Sequence, residues 1–302
     1  VDGYTLAGGT VDLGGPDAAT NSINVASDAS AEIGSVLSGA AGMTKAGFGT
    51  LTLSGANTYS GGTIVSGGAL VGSTSSLTGN ITNNAAVTFD QASDGTYAGV
   101  MDGSGSLTKS GAGNLTLSGA NTYSGGTTVS AGTLTGTTTS LQGGITNDTA
   151  VIFAQNTDGT YSGAMTGSGS LTKSGTGNVT LSGANTYSGG TTVSDGTFTG
   201  STASLQGDIT NNAAVVFAQD TSGTYAGAIS GTGSLSKSGS GSVTLSGANT
   251  YSGGTSVAAG TLAGTTTSLQ GDIVNDATVK FSQASDGSYA GVISGTGSVE
   301  IA

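Results

Sequence analysis

The sequence contains no cysteine and no histidine, and its single proline is Pro16. Without cysteine there can be no disulfide, iron–sulfur centre or thiolate zinc site. Losing both residues also removes the commonest general base and the strongest nucleophile. Charge is scarce as well: charged residues are 7 % of the chain, with five basic residues against 17 acidic ones and a formal net charge of −12. All five basic residues are lysines. A nucleic-acid binder needs clustered basic side chains to displace counterions, so no nucleic-acid partner is expected. An anionic membrane surface would repel the chain. No apolar run approaches the ~20 residues of a membrane-spanning helix, so direct membrane insertion of this segment is not expected either. The start, Val1-Asp2-Gly3-Tyr4, has neither the basic region nor the apolar core of a signal peptide. A targeting signal is therefore expected to be removed or to lie outside the sequence. Lack of cysteine is compatible with export as an unfolded chain.

Glycine is abundant, at 58 of 302 residues, with Ser, Thr and Asn filling much of the rest. Such a composition could mean a disordered linker. Hydrophobic residues nevertheless reach 34 %, and they recur at fixed positions, which a linker does not require. Glycine shows no three-residue period, which excludes collagen. Short strands joined by tight turns fit the composition.

Internal repetition dominates. The string TLSGANTYSGGT begins at Thr52, Thr116, Thr180 and Thr244, a constant spacing of 64 residues. The same spacing links Phe89, Phe153, Phe217 and Phe281, then Tyr97, Tyr161, Tyr225 and Tyr289, and the lysines Lys45, Lys109, Lys173 and Lys237. Residues 1–44 look different but keep the frame: Val1 maps onto Val65, Leu6 onto Leu70, Leu13 onto Leu77, Ile23 onto Val87, Ile33 onto Tyr97 and Met43 onto Leu107. The chain reads as one continuous array over 1–302. It has a degenerate partial repeat at 1–44 and repeats at 45–108, 109–172, 173–236 and 237–300.

Each repeat divides into three pieces of about 21 residues, for example Ser106–Gly126, Thr127–Asp148 and Thr149–Gly169. That length suits one coil of a parallel β-solenoid, so the expected fold is all-β, with a 64-residue repeat made of three coils and about 14 coils in all. At ~4.8 Å per coil this gives a rod about 65–70 Å long. An up-and-down barrel or a sandwich is the alternative, but closed folds need distinct ends and edges that strict repetition does not supply. Alternation assigns the faces. Val65/Val129/Val193/Val257, Leu70/Leu134/Phe198/Leu262, Leu77/Leu141/Leu205/Leu269 and Ile81/Ile145/Ile209/Ile273 should point inward. Thr88, Ile152, Val216 and Lys280 should point outward.

The block LTKSGAGNLTLSGANTYSGGTTVSAGTL at residues 107–134 recurs at 171–198 and 235–262, and at 43–70 with Met43 in place of leucine. It closely resembles the passenger-associated strand repeat of bacterial autotransporters. The resemblance implies a right-handed β-helical passenger, exported through the outer membrane by a C-terminal translocator barrel. It also implies a place at the cell surface and a role in adhesion, aggregation or biofilm, or in carrying another functional domain. The sequence has neither the signal peptide nor the translocator of that architecture, so a segment of a passenger is expected.

Catalytic constellations are not apparent. No G-x-S-x-G elbow, Walker A loop or H-E-x-x-H occurs, and the Gly-Ser-Gly strings read as turns. Asp94, Asp158 and Asp286 share one repeat position before a glycine, where Ser222 replaces them once. A turn needing φ > 0 after Asp explains that pair; a calcium site, the alternative, needs several converging oxygens. Asp208 and Asp272 correspond to Gly144 and Asn80 and read as solvated turn residues. No carboxylate pair stands out for glycosidase chemistry. No T-x-T array recurs in adjoining coils as an ice-binding face requires. No catalytic, cofactor-binding or metal residue is expected.

The column Tyr59/Tyr123/Tyr187/Tyr251 is the candidate partner-binding set, since exposed tyrosines along a rod could stack on sugars or bind proteins. The structural reading of the same column is a coil corner covered by the ring, with its hydroxyl in water. Asn57/Asn121/Asn185/Asn249 read as turn residues that satisfy backbone groups. The lysine column lies two residues past an inward leucine, as in Leu107-Thr108-Lys109. Strict alternation would bury it, whereas the following Ser-Gly suggests that the strand ends and the lysine snorkels outward. Both readings stay open from sequence. The expected function is a non-enzymatic extracellular structural and adhesive rod; the alternative is an inert stalk for a domain elsewhere in the parent chain. Expected partners are host-surface or matrix glycans and proteins, or the chain itself. Open coil ends bearing Val299 and Ile301 would favour end-to-end association, and screening of the acidic surface would favour lateral association.

Overall fold

A computed structural model describes residues 3–15 and 21–302, which form strands and turns with no helix. Val1 and Pro16 lie outside the described residues. The chain falls into two compact units, Val1–Val151 and Ile152–Ala302. Both are made of stacked parallel coils, the architecture of a β-solenoid.

In the second unit one eight-stranded sheet runs from Gly159–Tyr161 through Asn178–Leu181, Thr197–Gly200, Ala214–Ala218, Ser234–Ser238, Thr255–Val257 and Ile273–Asn275 to Ile293–Ser294. Each neighbouring pair is parallel and one coil apart. In the first unit the same pattern links Tyr4–Leu6, Ser30–Ile33, Thr50–Leu53, Ala69–Gly72, Ala86–Asp90, Ser106–Ser110, Thr127–Val129 and Ile145–Asn147.

One coil is shorter than the spacing of apolar runs suggested. Seven turns carry the second unit's sheet from Gly159 to Ile293, about 19 residues per turn. A 64-residue repeat therefore holds about three and a third turns rather than three. The segments around Asn121 and Thr139 account for the difference. Neither is a strand, yet both run along a side of the coil, with Thr122 N–H donating to Met101 C=O (2.8 Å) and Asn121 N–H to Thr139 C=O (3.1 Å). Sequence alone makes them look like corners. As a result, equivalent strands change face from one repeat to the next. Asn178–Leu181 lies between Gly159–Tyr161 and Thr197–Gly200, whereas its counterpart Ser242–Leu245 lies in another sheet, between Gly223–Tyr225 and Thr261–Gly264.

The inward assignments hold residue by residue. Val65, Val129, Val193, Val257, Leu70, Leu134, Phe198, Leu262, Leu77, Leu141, Leu205, Leu269 and the four isoleucines are all buried. Leu13, Ile33 and Met43 of the degenerate segment are buried too, while Leu6 stays half exposed. Thr88, Ile152, Val216 and Lys280 occupy the partly exposed outer positions of their strands. What stacks, however, is not one repeat position on itself. Along one inner row of the first unit Gly72, Phe89, Lys109, Val129 and Asn147 follow each other from coil to coil. Two of those five residues, Lys109 and Asn147, are polar, and residues of this kind define the site described next.

Candidate functional site

Lys45, Lys109 and Lys173 are fully buried and Lys237 is 1 % exposed, so alternation prevails over the snorkelling alternative. The reason is that the strand Ser106–Ser110 runs past the lysine to Ser110, keeping Leu107 and Lys109 on the same face. A buried ammonium must find partners for three donors. Lys109 Nζ donates to the carbonyls of Ser110 (2.7 Å), Gly111 (2.7 Å) and Ala131 (3.0 Å). The first two belong to the strand end that carries it, and the third lies one coil further on. Lys45 donates to Ala46, Gly47 and Gly67, Lys173 to Ser174, Gly175 and Asp195, and Lys237 to Ser238, Gly239 and Ala259. Carbonyl dipoles hold each cation. The ion pair between described residues is elsewhere, at Lys280 and Glu300, 3.9 Å apart on the surface. Burial pushes all four ammonium groups below their ordinary pKa, and Asp90, Asp195 and Asp220 partly oppose that shift at Lys109, Lys173 and Lys237.

The asparagines do more than satisfy local turns. Asn121 is buried; its Oδ1 accepts the N–H of Met101 (2.8 Å) and its Nδ2 donates to the C=O of Ser140 (2.7 Å). Those partners lie about one coil before and one coil after it. The side-chain amide thus stands in for a peptide group where the strand ladder is interrupted. Asn57, Asn185 and Asn249 repeat both bonds at 2.6–2.8 Å. A second set, absent from the sequence reading, is Asn83, Asn211 and Asn275. Each accepts an N–H two residues on and donates to a serine carbonyl 23 residues on. The signal was available, since Asn83 lies two residues past the inward Ile81.

Tyr59, Tyr123, Tyr187 and Tyr251 are at most 2 % exposed, which corrects both readings of the column. Their rings do not face a partner and their hydroxyls do not face water. Each hydroxyl pairs with a buried threonine Oγ1, at 2.7 Å for Thr63, Thr127 and Thr191 and 2.8 Å for Thr255. The cause is the same as for the turn length: the Asn-Thr-Tyr segment is a side of the coil, so alternate residues turn inward. Burial raises the pKa of all four phenols. The second tyrosine column packs on phenylalanines, as in Phe89–Tyr97 with ring centroids 5.0 Å apart.

The carboxylates act as rungs between turns. Asp94 accepts the N–H of Asn114 (2.8 Å) and Asp158 that of Asn178 (2.9 Å), each 20 residues on. Asp208 and Asp272, exposed as expected, accept the N–H groups of Ala228 and Val292, both at 2.8 Å. The glycine after Asp94 is not a positive-φ residue, contrary to the turn argument. It is required by close approach: a Cβ on Gly95 would lie 2.1 Å from Thr74 Oγ1 and 2.4 Å from Gln91 Nε2. Gly223 meets the same threonine position at 2.0 Å, which explains why glycine persists where Ser222 replaces aspartate. Among the described residues no three carboxylates gather as a metal site requires.

Among the described residues, no buried side-chain nitrogen or oxygen lacks a hydrogen-bond partner. Coils stitched together by lysine, asparagine and tyrosine define a repeat-built parallel β-solenoid. The family model of the passenger-associated-transport-repeat matches the chain four times, at residues 43–71, 107–135, 171–202 and 235–263. The chain therefore carries four copies of a repeat of autotransporter passenger domains, and its fold fits a passenger stalk. Each match contains one buried lysine with its carbonyl partners, one bridging asparagine and one tyrosine–threonine pair. Searches of curated proteins and of solved structures gave no match.

Proposed function

We propose that this chain is the non-enzymatic, extracellular stalk region of an autotransporter-like bacterial surface protein, and that its sides support adhesion, aggregation or biofilm formation. One observation carries the reading. Lys45, Lys109, Lys173 and Lys237 and the column Tyr59, Tyr123, Tyr187 and Tyr251 are consumed inside the coils, while stretches of the outer rows carry short, uncharged side chains in register. In the first unit such a row runs Thr52, Val71, Thr88, Thr108, Thr128 and Thr146. A row of this kind can lie against a second copy, or against a matrix glycan or protein, without desolvating a charge. The inert-stalk reading is favoured by burial of Tyr59, Tyr123, Tyr187 and Tyr251, which takes that repeated aromatic column off the surface.

Sedimentation over a salt series separates the two. The carboxylates repel at low salt, and about 0.1 M salt screens them beyond about 10 Å. Salt-driven association that is abolished by Thr88→Lys, Thr108→Lys and Thr128→Lys together supports contact through the sides. A chain that stays monomeric at every salt concentration and binds no matrix component is an inert stalk.

A further inference from the structure

The turn above each buried lysine has one backbone form and four sequences. Its second residue is Gly68, Gly132, Gly196 or Gly260, with φ between 63° and 69°. Its first residue supplies the carbonyl that the lysine holds, and it is Gly67, Ala131, Asp195 or Ala259. Only the third copy puts a carboxyl group there. Asp195 is exposed, and the N–H of Gly196 donates to its Oδ1 at 2.7 Å. The amide nitrogen and the carboxyl group of the preceding residue are therefore held side by side, which lowers the entropy cost of bringing them together. Two of the other Asp-Gly pairs, at Asp94 and Asp158, serve as the comparison. Asp94 and Asp158 are occupied by Asn114 and Asn178 N–H groups, and Gly95 and Gly159 open strands.

We infer that Asp195–Gly196 is a site of spontaneous covalent modification, in which succinimide formation converts Asp195 to isoaspartate. In the first step the Gly196 nitrogen attacks Cγ of the neutral carboxyl. A nitrogen–Cγ bond forms, the amide proton and the carboxyl hydroxyl leave as water, and a five-membered imide closes. In the second step one water adds at the former main-chain carbonyl carbon and the nitrogen's bond to that carbon breaks. The chain then runs through Cγ, and the old carbonyl becomes a free carboxylate. No oxidant or other reactant is needed.

The surroundings select that second step. The oxygen that becomes carboxylate is the one that Lys173 Nζ already holds at 3.0 Å. The ammonium polarises this carbonyl towards water and then holds a carboxylate oxygen directly, where before it held a carbonyl and felt the Asp195 side chain only through space. Opening of the imide on this side is favoured by charge pairing in a buried setting.

The folded chain, kept at 37 °C in mildly acidic buffer, is labelled with an isoaspartyl methyltransferase and mapped by fragmentation that distinguishes isoaspartate. Label at 195 should exceed that at Asp94 and Asp158 by about tenfold or more, the scale of a proximity effect. Asp195→Ala, the residue present in two sister turns, should remove it. Ala131→Asp should create a second labelled site above Lys109. Equal labelling at all three aspartates, or a site-195 rate and product ratio matched by the urea-unfolded chain, would overturn the inference. So would an Ala131→Asp chain with native circular dichroism and no new label.

Discussion

Lys109 Nζ donates to the carbonyl of Ala131, 3.0 Å away and one coil further along the chain. The same ammonium holds Ser110 and Gly111. One side chain thereby fixes the end of its own strand and the turn stacked on it. A neutral side chain of similar length could fill the space but could not supply three donors.

Asn121 makes the analogous connection with a neutral group. Asn121→Leu leaves the Met101 N–H and the Ser140 C=O unpaired in a buried position. At about 1–3 kcal/mol for each orphaned group, the loss should be about 2–6 kcal/mol. Urea denaturation followed by circular dichroism measures it. A midpoint unchanged from the parent chain would mean that the asparagine does not carry the ladder.

Alkaline titration should show two opposing effects. Unfolded lysines keep their protons up to about pH 10.4, while burial lowers the pKa of Lys45, Lys109, Lys173 and Lys237. The unfolded state therefore binds more protons just below that value, and stability rises as pH climbs through this window. The tyrosines act the other way. Burial raises their pKa values, with Tyr289 pushed up to about 12. Above about pH 10 the folded state holds the extra protons, so stability is lost as pH rises further. Tyrosinate absorbance should appear together with loss of β-structure. Smooth ionisation near pH 10 in a chain that stays folded would contradict the buried positions.

Face assignments are tested by a pair of substitutions. Leu141 is 1 % exposed, so Leu141→Asp buries an unpaired charge and should cost more than about 4 kcal/mol. Lys280 lies on the surface beside Glu300, and Lys280→Thr should change stability by less than about 1 kcal/mol. Thermal denaturation of the two variants should give midpoints far apart. Similar losses would refute the in–out pattern.

Alternation made the apolar interior legible, because each strand has a period of two and the 64-residue spacing repeats it without slippage. It also pointed at the lysines, but the Ser-Gly after Lys109, Lys173 and Lys237 and the Ala-Gly after Lys45 read as strand ends. Only the third acceptor, on the next coil, makes burial of Lys109 tolerable, and that contact spans 22 residues. The tyrosines were obscured differently. Nothing in Ala-Asn-Thr-Tyr-Ser-Gly-Gly distinguishes a corner from a side, and the answer depends on Asn121 bonding the coils before and after it. The glycine after Asp94 shows the same limit, since its cause is Thr74, a residue on the preceding coil.

A buried, carbonyl-held lysine ties successive coils together. Lys109→Met tests it most directly, because methionine fills most of the same volume and removes only the ammonium. Equilibrium denaturation should show a loss of about 3–5 kcal/mol, as three part-buried carbonyls lose their donor. A variant as stable as the parent chain, or more stable, would show that the lysine is a cost that the fold tolerates and not a tie between its coils.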